Sequence, residues 1–380
     1  MQYVDYGQTG LKVSRFGLGC MRFPRDRSEA IEMVRYAIDN GVNYLDTAYV
    51  YEGSEEILGE ALRDGYRERV CLVTKAPLWS VKGYEDFERE LDVSLARLGT
   101  DYLDVYQLHN LYDANLAKAR RFDGPGFLDE MIAKGKIRFK GFSMHNSYEA
   151  FCELVDDYRW DMAQIQLNIL DVKMQVGQQG LRYGAEKGLA MVIMEPLRGG
   201  TLLSNVPPEV LELVAAHPEQ RPLVEWCFRW LYNQPEATVI LSGTSNLEQL
   251  KENLRIFEAA ESNCLGNADV RFFSRLRQAY QKTHAIGCTG CRYCLPCEHG
   301  VLIPDCFAVY NNFMISGGRG MSDKVFYSNS LVTQGFGADQ CVDCGECVER
   351  CPQKLPIPEL LDQLHEVLTT GLPARFTQRD

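Results

Sequence analysis

The sequence predicts an α/β chain whose first two-thirds closes into a (β/α)8 barrel of the TIM type, preceded by a β-hairpin and followed by a small cysteine-rich domain. Three observations predict it. From residue 15 to about 260, short β-rich runs alternate with longer helical patterns. Polar side chains gather where those runs end, at Asp46, Lys75, His109, Ser143, Gln166, Asn168 and Glu195. Near residue 285, helix-rich sequence such as DVRFFSRLRQAYQKTHA gives way to Cys, Gly and Pro.

The first element is a hairpin, in which YVDYG and LKVSR flank a QTG turn; it is expected to plug the end of the barrel opposite the active face. The expected strands are 15–19, 43–46, 70–75, 103–109, 137–143, 162–168, 190–196 and 238–243. Between them run helical patterns such as 28–41, 54–65 and 84–99, each opened near a polar residue and closed by glycine. A repeated βα unit makes a parallel sheet. Eight units in roughly 250 residues match a closed barrel, whereas a doubly wound sheet would usually use fewer strands. In such a barrel, polar residues at the C-terminal ends of strands mark the catalytic face.

Length and composition fit two domains, expected at 1–275 and 285–380: the chain has 380 residues, 46% of them apolar. A net charge of −12 and a pI near 5.1 give no electrostatic footprint for nucleic acid or an anionic membrane. The start, MQYVDYGQTG, has no basic stretch followed by an apolar one, and no apolar run reaches the length that spans a bilayer. A cytoplasmic protein working on a small molecule is expected. Of fourteen cysteines, Cys20, Cys71, Cys152, Cys227 and Cys264 lie in strand or helix patterns and read as ordinary buried thiols.

The remaining cysteines carry chemistry. The run CVDCGECVERCP spaces Cys341, Cys344, Cys347 and Cys351 by two, two and three residues and places Pro352 after them, the pattern of bacterial ferredoxins. Three thiolates separated by two residues let a short loop wrap one iron–sulfur cubane, while the fourth reaches the neighbouring cluster. The run CTGCRYCLPC supplies Cys288, Cys291, Cys294 and Cys297, with only two residues before the last cysteine and Glu298 where proline is usual. By this logic Cys288, Cys291, Cys294 and Cys351 hold one 4Fe-4S cluster, and Cys341, Cys344, Cys347 and Cys297 hold another, in a small ferredoxin-like domain that is α+β or α-helical. Cys306 is a spare that could replace Cys297. Structural zinc is the alternative, although the third evenly spaced cysteine of each run would then lack a purpose.

The segment GVNYLDTAYVYEGSEEILGEAL, residues 41–62, resembles the signature of the aldo-keto reductase superfamily, and the likeness extends from residue 1 to about 260. One bacterial branch of that superfamily also carries a C-terminal iron–sulfur domain, which the cysteine-rich tail resembles. The resemblance implies a catalytic tetrad of Asp46, Tyr51, Lys75 and His109. In it, Tyr51 is the general acid. A free phenol titrates near pH ~10, so Lys75 must favour its ionised form, with Asp46 holding Lys75 and His109 donating to the carbonyl oxygen.

The resemblance also implies a nicotinamide dinucleotide, NADP(H) or NAD(H), bound without a G-x-G-x-x-G loop. Ser143, His145 and Gln166 would hold the carboxamide, and Gly19 and Met21 would also contact the cofactor. Leu197, Gly199 and Gly200 would follow the pyrophosphate, and Gly243, Ser245, Gln249 and Asn253 the adenosine end, helped by a helix N-terminus. Two positions depart from the family pattern. Ser245 stands where many relatives place an arginine for the 2′-phosphate, which leaves the choice of NADPH or NADH open, and His145 replaces the more usual asparagine.

A hydride carries two electrons and a cubane exchanges one, which leaves three functional readings. The barrel reduces a carbonyl compound while the clusters stabilise the tail or sense redox state. Alternatively, the clusters exchange single electrons with a redox partner protein. In the third reading, the barrel is a nucleotide-sensing module with little turnover.

Overall fold

The structure, a computed structural model, describes residues 1–111, 113–204, 206–282, 286–315, 318 and 321–370. Two compact units emerge, one made of Met1–Pro196 and Val224–Leu265, the other of Leu197–Leu223 and Gly266–Asp380. The boundary expected at 275 to 285 therefore falls inside the second unit. Side-chain bonds within that unit explain why: the Tyr280 hydroxyl donates to Leu202 O at 2.6 Å, and Lys282 pairs with Glu209 at 2.9 Å.

The first unit opens with β1 (Tyr3–Asp5) and β2 (Lys12–Ser14), an antiparallel hairpin in which Val4 faces Val13. The next eight strands are β3 (Phe16–Gly19), β4 (Tyr44–Asp46), β5 (Cys71–Ala76), β6 (Leu103–Leu108), β7 (Ile137–Met144), β8 (Met162–Gln166), β9 (Ala190–Met194) and β10 (Ala237–Ser242). They close in sequence order, β10 pairing with β3, and every ladder is parallel. All eight expected strands are present, each within two residues of its expected limits. Strands covered by helices outside and side chains inside are buried on both faces, which is why they read as nearly unbroken apolar runs.

Local chemistry sets the helix ends. Asp26, Ser147 and Asn246 each accept a backbone N–H three residues ahead, satisfying a donor that the first turn leaves open. Helix Tyr84–Leu98 stops at Gly99, whose φ of 62° is left-handed. Gly59 is required by contact: a Cβ there would lie 2.3 Å from Arg97 O, so helices Ser54–Ala61 and Tyr84–Leu98 meet backbone to backbone.

The hairpin turn drives Tyr6 into the barrel floor. Tyr6 is wholly buried and its hydroxyl meets that of Tyr44 at 3.1 Å. It packs in one apolar cluster with Tyr44, Cys71, Met162 and Ala190, the first residues of β4, β5, β8 and β9. The plug therefore closes the N-terminal end and leaves the C-terminal mouth for chemistry.

In the second unit, the regular elements described within residues 286–370 are all helices, Ile303–Ile315 and Ile357–Thr369 being the longest, while the cysteine-bearing segment 286–302 is turn and coil; there is no strand among the described residues. Of the two tail architectures expected, the helical one is present. Phe307, Tyr327 and Leu364 centre its core, and Cys288, Cys297, Cys341 and Cys347 pack at the core's edge. No helix among the described residues is long and apolar enough to cross a membrane.

Candidate active site and cysteine-lined cavities

Asp46 ends β4, Lys75 lies one residue from the end of β5, and His109 follows β6, so the pleat and the closed register deliver three of the four implied catalytic side chains to the C-terminal mouth. Lys75 Nζ donates to Asp46 Oδ1 and to Thr47 O, both at 2.6 Å. Tyr51 sits in the loop after β4, with its ring centroid 5.3 Å from Lys75 Nζ and 6.0 Å from the His109 ring, edge to face. The four residues thus form one constellation.

A polar layer supports it from below. Gln107, the register partner of Lys75, donates to Asp46 Oδ2 at 3.4 Å and to Gln164 Oε1 at 3.0 Å. Burial pushes the Asp46 carboxyl above its ordinary range, and the Lys75 ammonium and Gln107 amide pull it back down. Burial, then the nearby Lys75 charge, drives His109 well below the ordinary imidazole range, so its ring is neutral near pH 7.

Of the residues expected around the nicotinamide, Ser143 is buried on β7 and its hydroxyl accepts from Asn110 N at 2.8 Å. His145 Nδ1 meets Gln175 Oε1 at 3.1 Å, and Gln175 in turn donates to Gln166 Oε1 at 3.2 Å. Gln166 donates onward to Asp171 Oδ2 at 2.9 Å, so His145 and Gln166 belong to one chain of amides. Burial holds the His145 imidazole down at about 4, against the Gln175 contact that pulls upward.

At the adenosine end, Gly19 and Gly243 lie side by side: a Cβ on Gly19 would meet Gly243 N at 3.5 Å. Met21 is 38% exposed just beyond Gly19. Asn246 caps helix Leu247–Glu258, Ser245 contributes its N–H and hydroxyl to Gln249 Oε1 at 3.0 and 3.2 Å, and Asn253 donates to Ser242 Oγ at 3.1 Å. Between Gly243 and Ser245, the buried Thr244 hydroxyl has no hydrogen-bond partner among the described residues. A buried orphan hydroxyl beside a helix N-terminus fits a ligand rich in oxygen. Leu197, Gly199 and Gly200 belong to the second unit, in a turn where Arg198, Gly199 and Gly200 take φ of 51°, 67° and 96°.

The clustered cysteines line two cavities in the second unit. One is bordered by Cys288, Cys291, Cys294 and Cys351 with Ile303 and Phe307; the other by Cys297, Cys341, Cys344 and Cys347 with Val301 and Leu361. Cys294 also touches the second cavity, but its sulfur interacts electrostatically with Cys291, Cys288 and Cys351. With Cys294 assigned to the first hollow, four cysteines border each, the number of thiolates an iron–sulfur cubane takes. Cys306 borders neither cavity; it is wholly buried, with its thiol 3.8 Å from Phe336 O. Of the scattered cysteines, Cys20, Cys71 and Cys227 are buried as expected, whereas Cys152, within helix Tyr148–Asp157, and Cys264, in the loop between helices Leu247–Glu258 and Asn267–Gln281, are only half-buried.

Trp79 and Gln107 escaped the sequence reading. Trp79 is 40% exposed and stacks obliquely on His109 with centroids 5.1 Å apart, from a loop with no periodic signal. Gln107 alternates inward with Lys75, and only the barrel register shows that the two share a level.

Comparison with known proteins agrees with this geometry. Residues 15–263 match the aldo/keto reductase family, and residues 287–355 match a 4Fe-4S dicluster domain. The chain is 25% identical to the NADH-specific methylglyoxal reductase of Escherichia coli, over 74% of this chain and all of that protein. It is 28% identical to the 6-dehydroglucose reductase of Novosphingobium aromaticivorans, over 65% of this chain and 87% of that one. An aldo-keto reductase from Bacillus halodurans, solved in its holo form, superposes with a TM-score of 0.63 at 25% identity, covering 73% of this chain and 96% of its own. With the family match spanning most of the chain and the barrel closed as that family requires, this protein is an oxidoreductase of the aldo/keto reductase family that carries a 4Fe-4S dicluster domain at its C-terminus.

Proposed function

We propose that the barrel reduces a small polar aldehyde or ketone to an alcohol with a nicotinamide cofactor. The observation that carries this reading is the placement of Lys75 Nζ, 2.6 Å from Asp46 and 5.3 Å from the Tyr51 ring, with His109 against the same ring. When bound, the nicotinamide supplies the hydride. Tyr51 donates the proton to the developing alkoxide, and the Lys75 ammonium beside the phenol eases that loss. Asp46 holds Lys75 in place. His109, neutral, donates a hydrogen bond that orients the carbonyl. Gln166, Ser143 and His145 hold the cofactor's carboxamide, and the Gly243–Asn253 segment takes its adenosine end. Trp79 covers His109 from the solvent side.

In the second unit, Cys288, Cys291, Cys294 and Cys351 hold one 4Fe-4S cluster, and Cys297, Cys341, Cys344 and Cys347 hold a second. Two features favour an electron-transfer role for them, with a redox protein as partner: Cys294 borders both cavities, and Cys344 of the second set is exposed.

Two measurements on anaerobically purified protein test these readings. In a carbonyl screen starting with methylglyoxal, and run with both nicotinamides, Tyr51→Phe should abolish reduction and leave cofactor affinity within a few-fold; undiminished turnover rejects the tetrad. Bleaching of cluster absorbance by NADH or NADPH without a carbonyl compound supports electron transfer, and a stable spectrum points to a structural role.

A further inference from the structure

We propose that Glu55 is a positioning residue: acting through Thr74 and Arg97, it holds the loop that carries Tyr51 against the strand that carries Lys75. The inference rests on the catalytic reading above and extends it to a residue that touches none of the reacting atoms.

Glu55 lies in the first turn of helix Ser54–Ala61 and is completely buried. A carboxylate is rarely sealed from water unless every oxygen has a partner. Here Oε1 accepts from the Thr74 hydroxyl at 2.7 Å and Oε2 accepts from Arg97 Nη1 at 3.1 Å. Both partners lead to the tetrad. Thr74 immediately precedes Lys75, and alternation along β5 turns Thr74 outward to the helix while Lys75 points inward. Arg97 also donates to Tyr49 O at 3.0 Å and lies over the Tyr49 ring at 4.5 Å, two residues before Tyr51.

The rest of the loop is pinned independently. Thr47 O accepts from Lys75 Nζ at 2.6 Å, and the Thr47 and Ser54 hydroxyls meet at 2.7 Å. The loop is therefore tied at both ends to the lysine's neighbourhood, and within it, beside its own turn bonds from Tyr51 N to Ala48 O and from Ser54 N to Tyr51 O, Arg97 links Tyr49 O to the Glu55 carboxylate and so to β5. Removing the Glu55 charge leaves Arg97 with only the half-exposed Glu56 carboxylate, 3.4 Å from its Nε, which has no bond to β5, so the middle of the loop, where Tyr51 sits, loses its reference to that strand.

A purely structural ion pair would affect stability and leave the chemistry alone. Glu55→Gln separates the two, because it keeps the shape and an acceptor for Thr74 but removes the charge that orients Arg97. In full-length, cluster-loaded protein with methylglyoxal as probe, kcat should fall by about 10²-fold, as for a catalytic group displaced by about an ångström, with cofactor affinity and iron content within twofold of the parent. The basic limb of the kcat–pH profile should also move upward, since a phenol farther from Lys75 holds its proton more tightly. Thr74→Val should change both quantities in the same direction but less, and it decides the matter if Glu55→Gln does not fold. Amide exchange over residues 47–54 should quicken in either variant. Unchanged exchange there, or a folded Glu55→Gln enzyme with parental kcat and profile, overturns the proposal. Full turnover by Tyr51→Phe would instead reject the catalytic reading, and the exchange measurement would still judge the tether.

Discussion

Lys75 Nζ and Asp46 Oδ1 lie 2.6 Å apart with their side chains only 1% and 4% exposed, a charge pair sealed inside the barrel mouth. Neither member is tolerable there alone. Lys75→Met should destabilise the protein by about 3–5 kcal/mol, because it strands a buried carboxylate, and the Asp46→Asn/Lys75→Met double variant should recover most of that loss. The penalty also depends on pH. Burial already pushes the Asp46 carboxyl up, and without Lys75 it rises further, so its folded pKa exceeds the unfolded one and stability is lost as pH rises. Pulse proteolysis in urea at pH 5 and pH 8 should show the larger defect at pH 8; equal defects would mean that Asp46 is not the group left stranded.

His145 makes the opposite dependence. Its imidazole titrates near 6.5 in an unfolded chain and at about 4 in the folded one, so the unfolded state takes up a proton first as the solution is acidified. Stability is then complete above about pH 6.5 and declines towards pH 4, by roughly 2 kcal/mol at pH 5. His145→Asn should remove that part of the acid sensitivity. Comparing urea midpoints of the two proteins at pH 7.5 and pH 5 isolates it, because cluster lability and the His109 contribution are common to both. Parallel declines would show that His145 is accessible to protons in the folded protein.

The features that could be seen in the sequence are those whose cause is local. Strands β3 to β10 announce themselves because burial on both faces demands continuous apolar runs, and the plug announces itself because a QTG turn between short β runs has few other uses. Asp46, Lys75 and His109 were legible as polar residues closing such runs. Interactions that depend on how distant segments meet were not. Glu55 reads as an ordinary exposed glutamate of an amphipathic helix until the crossing at Gly59 brings Arg97 over it. Trp79 gains its place beside His109 only from the path of the loop after β5. Likewise, the grouping of Leu197–Leu223 with the tail depends on bonds such as Tyr280 to Leu202, separated by 78 positions.

Nucleotide preference should turn on Ser245. It sits beside the orphan Thr244 hydroxyl and carries no charge to meet a 2′-phosphate. Ser245→Arg should therefore tighten NADPH relative to NADH by about tenfold or more, the scale of one charge-assisted contact, with the difference shrinking as salt rises. Fluorescence titration at two ionic strengths measures it. An unchanged ratio would place the 2′ position elsewhere.

The two cysteine cavities make an asymmetric prediction. Four cysteines border the first and five the second, Cys294 being shared, but the set Cys288, Cys291, Cys294 and Cys351 includes two buried members, whereas in the other set Cys344 is exposed. With both clusters in place the protein should hold roughly eight irons and eight sulfides per chain. Cys291→Ser and Cys344→Ser should each lower that by about half. Cys297→Ser should behave like Cys344→Ser, and Cys306→Ser should keep the full complement, because the Cys306 thiol contacts Phe336 O and borders neither hollow. Exposure then sets kinetics: in air, the cluster bordered by Cys344 should be lost first, so that partly degraded protein and Cys344→Ser converge on the same absorbance and electron paramagnetic resonance spectra. Iron loss on replacing Cys306, or retention on replacing Cys297, would exchange the two residues in the ligand set and require the segment from Pro296 to Phe307 to rearrange when iron binds.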